Sequence, residues 1–177
     1  MIGFRQNDHR YPFMWESSRQ PAARWHGHGD GPVQYFANTP DGAWAEFLRH
    51  EEITDEKDLA GISRAVWAVE LGDERYATPD LPVRVLVGGV DSYAVCQNEA
   101  QRMRGNGETA LAAPSAALLP SGARGLRVQL GLQVGPAADG QVWVLFGRRP
   151  QAVGWLVVDR GAPPADVLHK VRQFSGE

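Results

Sequence analysis

Apolar and polar residues alternate with two different periods along this chain, and each period predicts its own kind of element. Val33-Gln34-Tyr35-Phe36-Ala37 reads as a short strand. Just after it, Thr39 suits a helix N-cap, Pro40 the first helical position and Asp41 the positive end of the helix dipole. A helix is predicted over about residues 40–52, and a rotation of about 100° per residue puts Trp44, Phe47 and Leu48 on its buried face. Residues 65–71 read as a buried strand, and residues 92–103 as a helix ending before Gly105. Residues 1–31 are polar, aromatic and glycine-rich and read as a long loop with short elements.

The last third has the two-residue period of sheet. Leu126, Val128, Leu130, Leu132 and Val134 alternate with Arg127, Gln129, Gly131 and Gln133, which predicts one half-buried strand. Asp139-Gly140 marks a turn, residues 142–146 and 153–158 supply two more strands, and Pro163-Pro164 opens a short helix containing Val167, Leu168 and Val171. The fold class is therefore α+β. The sheets are mixed and mainly antiparallel, because their connections are short, and helices flank them. The length of 177 residues suits a single domain over 1–177.

Composition narrows the function classes. Charge is nearly balanced at −3 with no Lys/Arg block, which argues against direct nucleic-acid binding. The single cysteine, Cys96, allows no internal disulfide and fits a reducing compartment. The N-terminal stretch lacks the apolar segment of a signal peptide, and no apolar run approaches the roughly 18 residues of a membrane span. The expectation is a cytoplasmic protein without membrane contact.

Two stretches stand out chemically: residues 24–31, Arg-Trp-His-Gly-His-Gly-Asp-Gly, leading into Tyr35 and Glu46, and Ala113-Pro114-Ser115-Ala116. By itself Glu46, opposite Trp44 on the helical wheel, reads as a solvated acid, and Arg24 as a surface or ion-paired arginine. Tyr35 on a strand reads as core, and Ser115 as a turn residue. His26, His28 and Asp30 invite a metal, but their spacing fixes no tetrahedral set and no fourth ligand follows, so no metal is expected. Gly27, Gly29 and Gly31 lack the strand and the spacing of a dinucleotide-binding turn. Trp15, Trp25, Trp67, Trp143 and Trp155 read as packing residues, and Cys96 as a core thiol. Arg5, Arg10 and Arg19 fit either solvation or added charge at an anion site, Arg10-Tyr11 being the most site-like pair.

Taken in order, these stretches resemble the RES domain, named for its Arg, Glu and Ser. Ala23-Arg24-Trp25 matches an Arg-Trp dipeptide in a glycine-rich segment, Val33-Gln34-Tyr35 a strand with a tyrosine, and Ala43-Trp44-Ala45-Glu46 a helix with Ala-x-x-Glu. Pro114-Ser115 matches a later Pro-Ser. Arg24 to Tyr35 and Tyr35 to Glu46 are each eleven positions, similar to the family's spacing. The resemblance covers roughly residues 4–118. Ala23 and His26 stand where the family usually has Gly and Asn, and residues 119–177 form an atypical C-terminal portion.

The resemblance implies a cleft similar to that of the ADP-ribosyltransferases, between two small sheets, with NAD⁺ as substrate and no permanently bound cofactor. It implies cleavage of the nicotinamide–ribose bond by hydrolysis or phosphorolysis, or transfer of ADP-ribose to a protein. It also implies toxin activity neutralised by an Xre-type helix-turn-helix antitoxin; a non-catalytic interaction module is the alternative from another class. Within that reading Glu46 and Arg24 are the catalytic pair. Arg24 takes the pyrophosphate with its planar fork, Tyr35 packs on nicotinamide, and Ser115 bonds the amide or a ribose hydroxyl; Trp25, Arg10 and Tyr11 complete the NAD⁺ contacts.

Overall fold

A computed structural model of the chain describes residues 1–14, 16–17 and 19–174. Trp15 lies outside the described residues. Among the described residues eight strands and four short-to-medium α-helices follow one another as β1 (Ile2–Asn7), β2 (Val33–Ala37), α1 (Pro40–His50), β3 (Arg64–Glu70), α2 (Val83–Leu86), α3 (Tyr93–Gly105), β4 (Ala110–Pro114), β5 (Ala123–Val128), β6 (Leu132–Ala138), β7 (Gln141–Phe146), β8 (Gly154–Gly161) and α4 (Ala165–Leu168). Six strands form one antiparallel sheet in the order β4-β7-β2-β1-β3-β8, and β5 and β6 form a separate hairpin. The α+β, mainly antiparallel class is thus observed, and among the described residues there is no parallel sheet for a dinucleotide-binding turn to belong to.

The sheet consists of two unequal halves. β2 pairs with β7 over five register positions and β1 with β3 over six, whereas β1 and β2 meet only at Phe4–Ala37. Close approach at that junction requires a glycine. A Cβ on Gly3 would stand 2.7 Å from Leu71 Cδ1 and 2.8 Å from Phe36 Cβ, both in the core. Beyond the junction the strands diverge, and the gap becomes a pocket.

α1 is built as its sequence directs. The Thr39 hydroxyl accepts from Gly42 N at 3.1 Å, Pro40 opens the first turn, and the helix ends at His50, two residues short of the predicted end. Trp44, Phe47 and Leu48 are buried against Val66, Leu118, Val167 and Leu168. A second cluster gathers Trp25, Val33, Cys96, Ala100, Met103 and Val144 between α3 and the sheet.

Three expectations are corrected. The N-terminal stretch begins with β1, a central strand hidden from the periodicity because Gly3-Phe4-Arg5-Gln6 does not alternate cleanly. The predicted single strand over residues 126–134 is a hairpin: Leu130 at φ 52° and Gly131 at φ 121° reverse the chain. Its aliphatic residues are not half-buried, since Leu126, Val128, Leu130, Leu132 and Val134 are each more than half exposed. Trp155 is about half exposed as well, on the edge strand β8, and is not a packing residue.

Replacing Gly3 by alanine should force the two half-sheets apart at their only shared pair. Overpacking of this kind costs about 1–3 kcal/mol, and the drop should appear in the urea midpoint of the G3A chain. An unchanged midpoint would show that the junction yields freely.

Candidate functional site

Where β1 and β2 part, a cavity of about 210 Å³ opens. β1 contributes Phe4 and Arg5 to its wall, the following loop Arg24 and Trp25, β2 Tyr35, α1 Glu46, Arg49 and His50, and α3 Tyr93. Arg24, Trp25, Tyr35 and Glu46 therefore converge on one space although they come from three separate segments. Three arginines, Arg5, Arg24 and Arg49, face a single carboxylate, Glu46, which leaves the pocket with an excess of positive charge.

Glu46 emerges from the helix face opposite Trp44 and is half-buried at the pocket wall. Its Oε1 accepts a 2.9 Å hydrogen bond from the Ser115 hydroxyl. The serine is itself fixed: its Oγ accepts from Ala117 N at 3.2 Å and Leu118 N at 3.1 Å, and its own N–H donates to Gly140 O at 2.9 Å. With both incoming donors on the oxygen, the hydroxyl proton is left for Glu46. Ser115 is 4 % exposed and lies behind the carboxylate, its neighbours Pro114 and Ala116 forming the wall instead. The Ser115 hydroxyl, expected to bond a ligand amide or ribose, here bonds Glu46.

Arg24 lines the pocket, but its fork is occupied by the protein. Nη1 donates to Val85 O at 3.2 Å and Ser92 Oγ at 2.8 Å, Nη2 donates to Gly88 O, and the guanidinium lies 4.9 Å over the Tyr93 ring. The planar fork expected to take a pyrophosphate thus meets two carbonyls and the Ser92 hydroxyl. Arg49, passed over in the sequence because it sits on the same short helix as the more conspicuous Glu46, donates to the same Gly88 carbonyl at 3.0 Å and to Ala116 O, and packs 4.3 Å from the Phe174 ring. Arg10 and Tyr11 are not at the pocket: Arg10 pairs with Asp8 at 2.6 Å and stacks on exposed Tyr11. Tyr93 and His50 are pocket residues that no sequence motif marked.

The loop ahead of β2 serves to hold Tyr35. The Tyr35 hydroxyl accepts from Trp25 N at 3.0 Å and lies 2.8 Å from His26 Nδ1, while His26 Nε2 lies 2.8 Å from Pro21 O. A carbonyl only accepts, so Nε2 carries the proton, Nδ1 is the acceptor, and Tyr35 donates to it. Burial raises the Tyr35 pKa and lowers that of His26, and both groups are neutral in this arrangement. Both His26 nitrogens are engaged, and Asp30 binds Gly27 N at 2.7 Å and Arg104 at 3.0 Å, so these side chains tie the loop together. Among the described residues no group of three or more His, Cys, Asp or Glu gathers around a common point.

The depressed His26 pKa has a measurable sign. The unfolded chain binds a proton at an ordinary pKa of about 6.5 that the folded chain refuses, so stability from neutral His26 is present above that value and declines as pH falls below it. The melting temperature should fall between about pH 7 and pH 5, before carboxylates titrate. In a His26→Asn chain, followed by circular dichroism, that fall should flatten.

No curated protein matches this sequence. Among solved structures, a chain of the crystal structure of the M. tuberculosis MbcT–MbcA toxin–antitoxin complex is similar, with a TM-score of 0.53 and 17 % identity over 87 % of this chain and 83 % of that one. At that identity the likeness concerns the fold. No helix among the described residues is long and apolar enough to cross a membrane. The family model of the RES domain matches residues 3–163, so that the strands after Pro114-Ser115 fall within the matched span. With nearly the whole chain covered, and with Arg24, Tyr35, Glu46 and Ser115 gathered in and behind one pocket, this protein belongs to the RES domain family.

Proposed function

We propose that the chain cleaves the nicotinamide–ribose bond of NAD⁺, with water or phosphate as acceptor, and acts as the toxin of a toxin–antitoxin pair. The observation that carries the chemistry is a lone carboxylate, aimed by Ser115, at the wall of a pocket whose lining joins three arginines and several aromatic rings to small apolar residues. Cleavage breaks the bond from C1′ of the ribose to the nicotinamide nitrogen. The electron pair leaves with the nitrogen, so the positively charged ring departs neutral and needs no acid. The sugar is left with oxocarbenium character, as in glycoside hydrolysis. Glu46 opposes that developing charge. Ser115 holds Oε1, which leaves Oε2 to face the ribose. Water or phosphate then forms the new bond at C1′, and water loses its proton to solvent. Tyr35, its hydroxyl tied back to His26 and Trp25, offers a fixed ring for a flat leaving group.

The toxin assignment rests on the family and on the fold shared with a chain of the MbcT–MbcA complex. The partner proposed is a helix-turn-helix antitoxin of the Xre type.

Purified protein should release nicotinamide from NAD⁺, leaving ADP-ribose in water alone or its 1″-phosphate with phosphate present. Glu46→Gln is nearly isosteric and should lower the rate by about 10²–10³ without changing the melting curve, the usual cost of removing a preorganised electrostatic group. Equal rates would remove Glu46 from the mechanism. Ser115→Ala frees the carboxylate to rotate; a hydrogen bond to a charged group is worth about 1.5–3 kcal/mol, so kcat should fall about ten- to hundred-fold with KM little changed. Cells expressing the wild-type chain should lose NAD⁺ and stop growing, and cells expressing E46Q should not. No turnover with water, phosphate or a protein acceptor would favour a non-catalytic module.

A further inference from the structure

The β5–β6 hairpin stands apart from the pocket and carries an apolar face in solvent. Leu126 lies opposite Val134 and Val128 opposite Leu132, so these four side chains share one face, with Leu130 at the turn. Arg127 and Gln133, the pair between them, belong to the other face. Among the described residues nothing covers the aliphatic side: Val128 is 84 % exposed and Leu130 fully so. The base of the ribbon, in contrast, is fixed. Ala123 is buried, Arg124 N donates to Asp41 at 2.9 Å, the Arg124 guanidinium pairs with Asp166 at 3.1 Å, and Ser121 N donates to Asp139 at 2.7 Å. A firmly rooted arm thus holds a row of leucines and valines in water.

An isolated two-stranded ribbon is marginal in water and gains stability when further strands cover its hydrophobic face. The five aliphatic residues expose several hundred Å², comparable to the roughly 300–600 Å² of the largest apolar patch on an ordinary monomer and to the ~800 Å² that each partner gives to a standard interface. Extension edge to edge is hindered, because Pro136 in β6 supplies no N–H and the register shifts between Arg124 and Leu126. Burial therefore falls to the face. That face carries no charge, and interfaces between identical chains are the more apolar class. We propose that a second copy of this chain covers it, the two ribbons stacking aliphatic face on aliphatic face about a two-fold axis as a four-stranded sandwich. A two-fold contact needs only a patch complementary to itself, and facing rows of Leu and Val interdigitate as the inner faces of two packed sheets do. Arg127 and Gln133 stay in water on the outer faces, so no like charges meet at the contact. The pairing is independent of the reaction proposed for the pocket.

The test is sedimentation velocity on the whole chain at concentrations from about 1 to about 100 µM. Wild type should sediment as a dimer within that range. Val128→Glu places an unpaired carboxylate inside the contact and should weaken self-association at least about hundred-fold, leaving a monomer. Because Val128 faces solvent in the single chain, the circular dichroism spectrum should not change. Arg127→Glu, one residue away on the opposite face, should leave the dimer intact. If V128E fails to fold, Leu132→Glu on the facing strand takes its place. A dimer that survives both V128E and L132E, or dissociation by R127E as strong as by V128E, would overturn the proposal. Open-ended association without a discrete dimer would do the same. A wild-type monomer throughout the range would also overturn it and leave the face to a different protein.

Discussion

β1 and β2 share one register pair, Phe4–Ala37, and then separate. An antiparallel sheet ordinarily continues its ladder, because an unpaired backbone donor or acceptor away from water is costly. Here the ladder stops and side chains take over: Arg5 reaches across to Gln34, and the Phe36 ring lies under the guanidinium. Had the strands zipped together, the space beside Tyr35 would be filled by main chain. The pocket is a consequence of that arrested pairing, and Gly3 permits the close contact at its apex.

Around the opening, polar groups are arranged to be stiff. Glu46 is held by Ser115, Ser115 by two amides, Tyr35 by His26 and Trp25, and two arginines meet at the Gly88 carbonyl. Each link replaces solvent reorganisation with a fixed dipole or charge, the arrangement that makes an electrostatic site effective. It also divides labour among like residues. Arg24 and Arg49 pin the segment around residues 85–92 and residue 116 to the site and supply field, and Arg5 ties β1 to Gln34 of β2.

The sequence made α1 and its neighbouring strand legible because their signals are local: a cap, a proline and a buried stripe in eleven residues. It placed Tyr35 and Glu46 on the correct strand and helix for the same reason. β1 was not legible, since a central strand that bears Arg5 and Gln6 on a pocket carries no regular alternation. The hairpin of β5 and β6 misled in the opposite direction: Leu126 to Val134 alternates well, but nothing in the described chain covers it, and a turn at residues 130–131 interrupts it. Ser115 was singled out by its motif, but its hydrogen bond to Glu46 was not. Its role depends on a hydrogen bond to a residue 69 positions away, which no local pattern contains.

The Ser115 segment has a further dependence. Arg172 donates to Ser115 O at 3.3 Å and Ala116 O at 3.0 Å, and its own N–H to Ala117 O at 2.7 Å, while Leu119 N reaches Lys170 O at 2.8 Å. The loop that aims Glu46 is therefore laced to a segment synthesised long after the helix that carries Glu46. On the ribosome, α1 and its acid emerge early and stand idle. The support behind them closes only once residues 170–172 are free, so a chain interrupted before that point holds Glu46 without the frame that directs it.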